Sequence, residues 1–315
     1  MKISVLETNM LTVGDISLSE LEALGDTDFY DRLEDDEIVR LCAESDIILC
    51  TKTVFHRALI DRLPNLKLIC LFATGYNNVD TAYAKKKGIL VSNAPAYSTE
   101  SVVQHVFSLI LNLAGNTYKY IASTKRGEWV TSPTFSYFNI PIVELHGKTI
   151  GIVGYGAIGR RVADLATAFG MKVLVCTRTP KADCPHPQMS VDEMLPLCDF
   201  VSLNCPLTDA TKGLINAERL AKMKPTAFIV NAARGPVVDE YAIADALAEG
   251  TIAGFAADVI EREPMSADPP LLGAPNCILT PHVAWASLEA RTRLMEICVN
   301  NIKGFIDGFP VNLVN

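Results

Sequence analysis

Lys-Thr-Ile-Gly-Ile-Val-Gly-Tyr-Gly-Ala-Ile-Gly, at residues 148–159, is the stretch that decides the fold. It begins with an apolar run typical of a buried strand, and Gly154, Gly156 and Gly159 then form a G-x-G-x-x-G pattern ahead of a helical pattern at 160–169. In such a turn the first glycine permits a tight bend, the second lets the backbone approach a pyrophosphate, and the third lets helix and strand pack closely. A glycine-rich turn can be purely structural, but this position between strand and helix favours dinucleotide binding at the helix N-terminus.

The composition is that of a folded protein of about two domains. Of 315 residues, 49% are hydrophobic and 20% are charged, which allows a sizeable core. The net charge of −8, with no basic run longer than 85–87, argues against a nucleic-acid surface. Nine cysteines without a C-x-x-C pair are typical of reduced thiols, so we expect a cytoplasmic protein. We expect no metal site, no secretory signal and no membrane span.

Short apolar runs alternate with helical patterns along the chain, which predicts parallel sheets with helices on both faces. The expected strands are at 3–6, 46–50, 67–71, 89–92, 148–153, 172–176, 200–204, 227–231, 252–257 and 277–279. The expected helices are at 36–43, 79–87, 98–121, 160–169, 191–195, 217–222, 240–249 and 287–305. The fold class is therefore α/β with two doubly wound domains. We expect a substrate-binding domain at 1–98 plus 288–315, and a Rossmann dinucleotide-binding domain at 99–287.

Three further segments each have a structural and a functional interpretation. The small, polar loop 73–78 follows an expected strand, so its backbone N–H groups could hold a carboxylate; an ordinary turn with Asn78 as helix cap explains it equally well. His105 lies inside an apolar helical pattern and is expected to be a hydrogen-bonded core histidine. The aromatic residues of 126–145, an arm poor in regular structure, suggest a packing or dimer surface.

The residues after the second strand of the Rossmann domain bear on the choice of cofactor. NAD enzymes usually carry Asp or Glu about 20 residues beyond the glycines, where the carboxylate holds the ribose 2′-hydroxyl. This chain has Thr177, Arg178 and Thr179 there instead. A cation between hydroxyl groups suits a 2′-phosphate, so NADP is favoured over NAD. The alternative is an exposed turn, with NAD held by other contacts.

Three polar residues follow strands of the second half and are candidates for catalysis. Arg234, Glu263 and His282 come after the expected strands 227–231, 252–257 and 277–279. Carboxyl ends of parallel strands meet at one sheet edge, which is also the edge of the glycine turn. There an arginine could bind an acid group and polarise a carbonyl, a histidine could supply a proton, and a glutamate could orient the imidazole. The alternative is three unrelated loop residues.

Taken together, these motifs resemble the D-isomer-specific 2-hydroxyacid dehydrogenases, and most closely their glycerate dehydrogenase/hydroxypyruvate reductase branch. The resemblance covers about residues 40–315. The segments that carry it are 73–80, 93–98, 154–159, 204–208, 231–235, 258–264 and 280–287, with 310–312 adding to the resemblance to the branch.

The resemblance implies a flavodoxin-like substrate domain and roles for many residues. The catalytic set would be Arg234, Glu263 and His282. Substrate carboxylate would be bound by Thr74, Gly75, Tyr76 and Arg234. The nicotinamide cofactor would be bound by Gly154, Gly156, Ala157, Ile158, Gly159, Cys205, Pro206, Thr211, Ala232, Asp258 and Ala284. At Thr177 the chain departs from the commonest family pattern, which has an acid in NAD-dependent members, so the contacts of Thr177 and Arg178 follow from the residues themselves.

The activity implied is reduction of a 2-oxoacid, with hydroxypyruvate or glyoxylate favoured, to the D-2-hydroxyacid by NADPH or NADH. The partner would be a small molecule, with a homodimer formed through the arm 126–145. A 3-phosphoglycerate dehydrogenase is the alternative enzyme, although no extra basic residue is evident in the substrate loop. An NAD-sensing transcriptional corepressor is the alternative of another class, although the chain lacks long flanking tails.

Overall fold

The computed structural model describes all of residues 1–315. The chain forms two compact units, one comprising Met1–Ser98 with Ala286–Asn315 and the other comprising Thr99–Trp285. The assignment of the first unit to substrate and of the second to the dinucleotide remains a prediction.

The first unit contains five strands and six α-helices. Its strands are β1 (Lys2–Val5), β2 (Asp26–Phe29), β3 (Ile47–Cys50), β4 (Leu68–Leu71) and β5 (Leu90–Ser92). Its helices are α1 (Thr8–Leu11), α2 (Ser19–Glu22), α3 (Asp35–Cys42), α4 (Arg57–Ile60), α5 (Thr81–Lys86) and, at the end of the chain, α12 (Leu288–Ile306).

The second unit contains six strands and six α-helices. Its strands are β6 (Thr149–Val153), β7 (Lys172–Cys176), β8 (Phe200–Leu203), β9 (Phe228–Asn231), β10 (Gly254–Ala257) and β11 (Cys277–Leu279). Its helices are α6 (Thr99–Gly115), α7 (Thr117–Lys125), α8 (Ala157–Ala168), α9 (Val191–Met194), α10 (Ala217–Leu220) and α11 (Glu240–Ala248). Two 3-10 turns lie at Leu195–Leu197 and Gly235–Val237.

The sheet of the first unit is parallel, with strand order β2-β1-β3-β4-β5. This is the flavodoxin-like order. Strands β3 and β4 are buried along their whole length, as expected when helices cover both faces. Helix α12 packs on β4 and donates a hydrogen bond from Asn301 Nδ2 to the carbonyl of Asn93, at 2.9 Å.

The sheet of the second unit is also parallel, with strand order β11-β10-β9-β8-β6-β7. Beyond β7, Gln188 forms an isolated parallel bridge with Val175. If that bridge is counted as a minimal third strand, the order is that of a Rossmann sheet, which reverses direction between β6 and β8. The predicted fold class, two doubly wound parallel sheets, is confirmed.

The structure corrects four local predictions. Strand β2 was not predicted, because its sequence Asp-Thr-Asp is polar and lies at the edge of the sheet. The expected helix 98–121 is two helices, because Asn116 takes a left-handed conformation with φ 48° after Gly115. Helix α8 begins at Ala157, three residues before the expected start. The cap of α5 is Asp80, which accepts from the backbone N–H of Tyr83, and not Asn78.

None of the helices combines the length and the apolar character needed to cross a lipid bilayer.

Candidate active site

The glycine turn at the end of β6 has the geometry that its sequence predicts. Gly154 has φ +93°, and a Cβ there would lie 2.6 Å from the carbonyl oxygen of Asn204. A Cβ on Gly159 would lie 2.0 Å from the carbonyl oxygen of Gly154. Both positions therefore exclude any side chain, since the backbone itself would have to move.

Gly156 differs from the other two glycines. No atom lies within 4 Å of a Cβ built on it, so its missing side chain leaves open space. Gly156 is also the N-cap of α8 and provides no side-chain cap for the first-turn N–H groups, which include those of Ala157 and Ile158. Open space beside uncapped N–H groups at a positive dipole end fits the pyrophosphate of a dinucleotide.

The end of β7 carries no carboxylate. Thr177 Oγ1 donates to the carbonyl oxygen of Thr179, at 2.9 Å, so its hydroxyl proton is used to close the turn. Arg178 is exposed and makes no hydrogen bond or ion pair. Of the two residues predicted to contact a 2′-phosphate, Arg178 has an unpaired guanidinium that can bind it. The Thr177 hydroxyl can only accept a hydrogen bond in this conformation and so cannot donate one to a phosphate.

The remaining predicted cofactor positions line the ends of β8 and β9 and the loop after β11. Burial raises the pKa of the Cys205 thiol to about 11, so it is neutral. Thr211 Oγ1 donates to the carbonyl oxygen of Pro206, at 2.7 Å, and accepts from the N–H of Thr208, at 2.8 Å, which closes the loop on itself. The hydroxyl of Thr211 therefore supports the loop. Ala232 is half-buried and Ala284 is buried.

Glu263 and His282 form a direct pair. Glu263 Oε2 lies 2.6 Å from His282 Nδ1, and Oε1 of the same carboxylate accepts from the N–H of Ile260 at 3.3 Å. The side chains are 27% exposed for His282 and 32% for Glu263, so the pair is partly buried but accessible to a ligand. With Nδ1 bound to the carboxylate, Nε2 is the ring nitrogen that can exchange a proton with a ligand.

Arg234 lies at the end of β9 and is exposed. Its Nη1 donates to the carbonyl oxygen of Ala233, at 2.7 Å. Asn231, which is fully buried, donates from Nδ2 to the carbonyl oxygen of Arg234 at 3.0 Å and accepts from the N–H of Ala233 at 3.1 Å. Asn231 thus fixes the turn that presents the guanidinium, a role that the sequence alone did not reveal.

The Arg234 turn packs directly against the loop that bears Glu263. A Cβ on Gly235 would lie 1.9 Å from the carbonyl carbon of Ile260, so the two backbones touch there. Glu240, buried at the start of α11, accepts from the N–H of Glu261 at 2.6 Å, and its burial raises the pKa of this carboxyl group. Sequence reasoning missed both supports; the Arg-Gly-Pro sequence at 234–236 was the available signal.

Asp258 is 1% exposed and already carries several hydrogen bonds. It accepts from the N–H groups of Val283 and Ala284, at 2.9 and 2.8 Å, and from Thr280 Oγ1, at 2.6 Å. The residue expected to hold the nicotinamide carboxamide therefore also anchors the loop that carries His282. His105 is hydrogen-bonded, as expected, through Nε2 to Thr280 Oγ1, but it is half-buried and lies outside the core.

In the first unit, several backbone N–H groups of the predicted substrate loop, residues 73–78, have no hydrogen-bond acceptor within the chain. Thr74 Oγ1 donates to the carbonyl oxygen of Ala94 at 2.8 Å, and Asn93 Nδ2 donates to that of Thr74 at 2.7 Å. The backbone N–H groups of Thr74, Gly75 and Tyr76 make no hydrogen bond within the chain. Backbone N–H groups without an internal partner are available to bind an anion such as a carboxylate. The prediction that Asn78 caps the following helix is wrong, because Asp80 is the cap.

A basic residue lies beside this loop, contrary to expectation. Lys52 follows β3, which pairs with β4, and its side chain is exposed. Glu7, 4% exposed and in a left-handed conformation, accepts from the N–H groups of Thr51 and Lys52, both at 2.7 Å. The position of Lys52 follows from strand pairing, and sequence spacing does not reveal it.

Comparisons with known proteins agree with this geometry. Residues 107–284 match the family model "D-isomer specific 2-hydroxyacid dehydrogenase, NAD binding domain". A hydroxypyruvate reductase of Blautia hydrogenotrophica is 41% identical, with 100% of each chain covered. A glycerate dehydrogenase of Methylorubrum extorquens is 41% identical over 89% of this chain and 88% of its own length. The crystal structure of an NADPH-dependent glyoxylate/hydroxypyruvate reductase of Sinorhizobium meliloti, in complex with NADP and malonate, has a TM-score of 0.87 at 30% identity, covering 99% of this chain and 96% of that one.

The family match, the relatives and the Rossmann unit with its open glycine turn agree, and they confirm the resemblance seen in the sequence motifs. The chain is an oxidoreductase that belongs to the D-isomer-specific 2-hydroxyacid dehydrogenase family and binds a nicotinamide dinucleotide.

Proposed function

We propose that this enzyme reduces hydroxypyruvate or glyoxylate to the D-2-hydroxyacid with NADPH or NADH. The observation that carries the proposal is the Glu263–His282 pair, a proton donor held at 2.6 Å by a carboxylate on the loop of the neighbouring strand. The names of the similar proteins, hydroxypyruvate reductase and glycerate dehydrogenase among them, support this substrate class.

The roles of the three residues follow from their chemistry. A nicotinamide held by the second unit would supply the hydride in the reducing direction. His282 donates a proton from Nε2 to the carbonyl oxygen of the substrate, while Glu263 keeps Nδ1 engaged and compensates the imidazolium charge. Arg234 binds the carboxylate and polarises the carbonyl, because its guanidinium offers several donors in one plane. The backbone N–H groups of Thr74, Gly75 and Tyr76, which have no partner within the chain, are further candidates to bind the substrate carboxylate.

The cofactor would be NADP in preference to NAD. The pyrophosphate would be bound at Gly154–Gly159 by the N–H groups of the first turn of α8. Arg178 would pair with the 2′-phosphate, and no carboxylate lies at the end of β7 to repel it. Cys205, Pro206 and Ala232 would form the apolar wall, with Ala284 and Asp258 near the nicotinamide. Thr211 would contribute through the shape of its loop.

Lys52 supports a second candidate, oxidation of 3-phosphoglycerate. Its exposed ammonium group follows β3 beside the loop of Thr74, where it could bind a phosphate. Hydroxypyruvate and its phosphorylated form differ only at this distal group. The ratio of their kcat/KM values therefore distinguishes the two candidates.

We further propose a cytoplasmic homodimer. All nine cysteines are free thiols, which suits a reducing compartment. The arm 126–145 exposes large apolar side chains, with Trp129 54%, Phe135 91% and Phe138 82% exposed. Patches of this kind mark association sites. Light scattering after gel filtration tests the dimer, and Phe135→Ser with Phe138→Ser should shift it to monomer.

The deciding experiment is a matrix of initial rates. Hydroxypyruvate, glyoxylate, pyruvate and phosphohydroxypyruvate are each measured with NADPH and with NADH. The proposal expects the highest kcat/KM for hydroxypyruvate or glyoxylate. A highest value for phosphohydroxypyruvate that falls in Lys52→Ala would replace it with the second candidate.

A further inference from the structure

We propose that Thr280 and His105 are positioning residues for His282, acting through the buried carboxylate of Asp258. This inference rests on the proposed function, because it assigns His282 as the proton donor. It adds two side chains that contact neither the proposed substrate groups nor the His282 ring.

Three of these groups, His105, Thr280 and Asp258, form one directional chain of hydrogen bonds. Thr280 has a single hydroxyl proton, and it is donated to Asp258 Oδ1, 2.6 Å away, because a carboxylate can only accept. The second contact of Thr280 Oγ1, at 2.9 Å, is with His105 Nε2, which must therefore be the donor. His105 thus carries a proton on Nε2, and the order of donation is His105 to Thr280 to Asp258.

Asp258, held in place by Thr280, in turn fixes the backbone next to His282 by hydrogen bonds. Its Oδ1 also accepts from the N–H of Val283 and its Oδ2 from that of Ala284, at 2.9 and 2.8 Å. Ser101 Oγ, on the same helix as His105, donates to the carbonyl oxygen of Ala284, at 2.6 Å. The segment 283–284 is therefore held at both its N–H and C=O groups.

His282, which lies between Thr280 and the segment 283–284, has a strained backbone that the surrounding contacts must stabilise. His282 has φ 54°, in the left-handed region that residues with a Cβ seldom adopt. Its own N–H bonds to the carbonyl oxygen of Thr280, at 3.0 Å, and the N–H of Thr280 bonds to that of Ala257, at 2.9 Å. This backbone conformation fixes the direction of the Cα–Cβ bond, from which the ring places Nδ1 2.6 Å from Glu263 Oε2. Such a conformation persists only where the surroundings determine it.

The arrangement explains why a hydroxyl residue and a histidine occur together here. Without the hydroxyl, Asp258 would lose one buried donor, and His105 Nε2 would face an apolar group. His105 Nε2 also lies 3.4 Å from Asp258 Oδ1, so a longer direct contact accompanies the shorter hydrogen bonds that run through Thr280. The hydrogen-bond chain from His105 through Thr280 to Asp258 thus ties helix α6 to the loop that carries His282, by contacts that do not involve Glu263.

Matched variants at Thr280 test the inference. Thr280→Val keeps the shape and removes the hydroxyl, while Thr280→Ser keeps the hydroxyl. We expect Thr280→Val to lower kcat by about tenfold or more with little change in the KM of the 2-oxoacid, since misplacing a catalytic group costs rate before it costs binding. Thr280→Ser should keep kcat within about twofold of wild type. Equal kcat values in both variants would overturn the inference.

Amide hydrogen exchange of the segment 280–285 supplies a readout that needs no turnover. Protection should fall in Thr280→Val and persist in Thr280→Ser; unchanged protection in Thr280→Val would overturn the inference. This measurement decides the inference even if the chain reduces no 2-oxoacid, an outcome that would refute only the proposed function. If Thr280→Val does not fold, His105→Leu against His105→Gln gives the same comparison, because Gln can still donate to Thr280 from a half-buried site.

Discussion

Glu263 Oε2 and His282 Nδ1 are 2.6 Å apart, although the residues are 19 positions apart and belong to loops after two different strands. Strands β10 and β11 are parallel neighbours, so both loops leave the sheet at the same edge. The carboxylate also accepts from the backbone of its own loop, at Ile260, which fixes its second oxygen. The Glu263 carboxylate that orients the imidazole is therefore itself held in place by the backbone of its loop.

The charge of Glu263 should matter for turnover more than for binding. Glu263→Gln keeps an oxygen that can accept from Nδ1 but removes the charge that stabilises the imidazolium. We expect kcat to fall by about 100-fold or more, up to roughly 10⁴-fold as when the carboxylate partner of a catalytic histidine becomes an amide, with a similar KM for the 2-oxoacid. Steady-state kinetics measure this. Glu261→Gln, a nearby exposed change, is the control, and His282→Gln sets the floor; a Glu263→Gln enzyme with wild-type kcat would disprove the pairing role.

The three glycines of the turn should respond differently to alanine. At Gly156 a methyl group meets nothing within 4 Å, so Gly156→Ala should fold normally but fill the space proposed for the pyrophosphate. We expect the KM of the dinucleotide to rise by about tenfold, equivalent to about 1.4 kcal/mol, with an unchanged melting temperature. Gly159→Ala, with a Cβ 2.0 Å from the carbonyl oxygen of Gly154, should instead lower the melting temperature. Identical behaviour of the two variants would contradict this distinction.

Gly235 should be needed for the structure of the catalytic edge itself. A methyl group there would lie 1.9 Å from the carbonyl carbon of Ile260, so Gly235→Ala must separate the Arg234 turn from the loop of Glu263. We expect a loss of about 1–3 kcal/mol in the free energy of unfolding, the usual range for overpacking, together with a lower kcat. Urea denaturation and kinetics measure both. Wild-type values for both would show that the two backbones can move apart freely.

The sequence predicts those elements whose signal is local. Strands β7 and β11 have the predicted bounds, because each is a short apolar run between polar turns. Strand β2 has no such signal, since Asp26 and Asp28 lie in it at a half-buried edge. The choice of Arg234, Glu263 and His282 as candidates needed only the parallel-sheet rule.

The supports of the site could not be predicted in the same way. Glu240 and Glu261 are bonded across 21 positions, and Gly235 touches Ile260 only because two loops meet after folding. Lys52 escaped notice because its place beside the loop of Thr74 depends on the pairing of β3 with β4. Such contacts belong to the tertiary structure and have no periodicity that a single sequence would display.

The buried thiol of Cys205 should make stability depend on alkaline pH. Burial raises its pKa to about 11, above the ~8.5 of an unfolded thiol, so only the unfolded chain ionises between these values. As pH rises through that window the unfolded state binds fewer protons, and stability falls. For this one group we expect about 1 kcal/mol less between pH 8.5 and 9.5. Urea denaturation at both pH values measures the drop, and Cys205→Ser should lose less than wild type; equal drops would contradict the assignment.

The choice between NADP and NAD depends on the two residues after β7. Arg178 has a free guanidinium, whereas the hydroxyl proton of Thr177 is used by Thr179. Arg178→Ala should therefore lower kcat/KM for NADPH by roughly tenfold and leave that for NADH nearly unchanged, because a charge-assisted bond to phosphate is lost. Adding Thr177→Asp should place a carboxylate where a ribose 2′-hydroxyl can be held and a 2′-phosphate is repelled, which favours NADH. Thr177→Ser, which keeps the hydroxyl, is the control. An NADPH to NADH ratio that stays at the wild-type value in the double variant would show that the 2′-phosphate is recognised elsewhere or not at all.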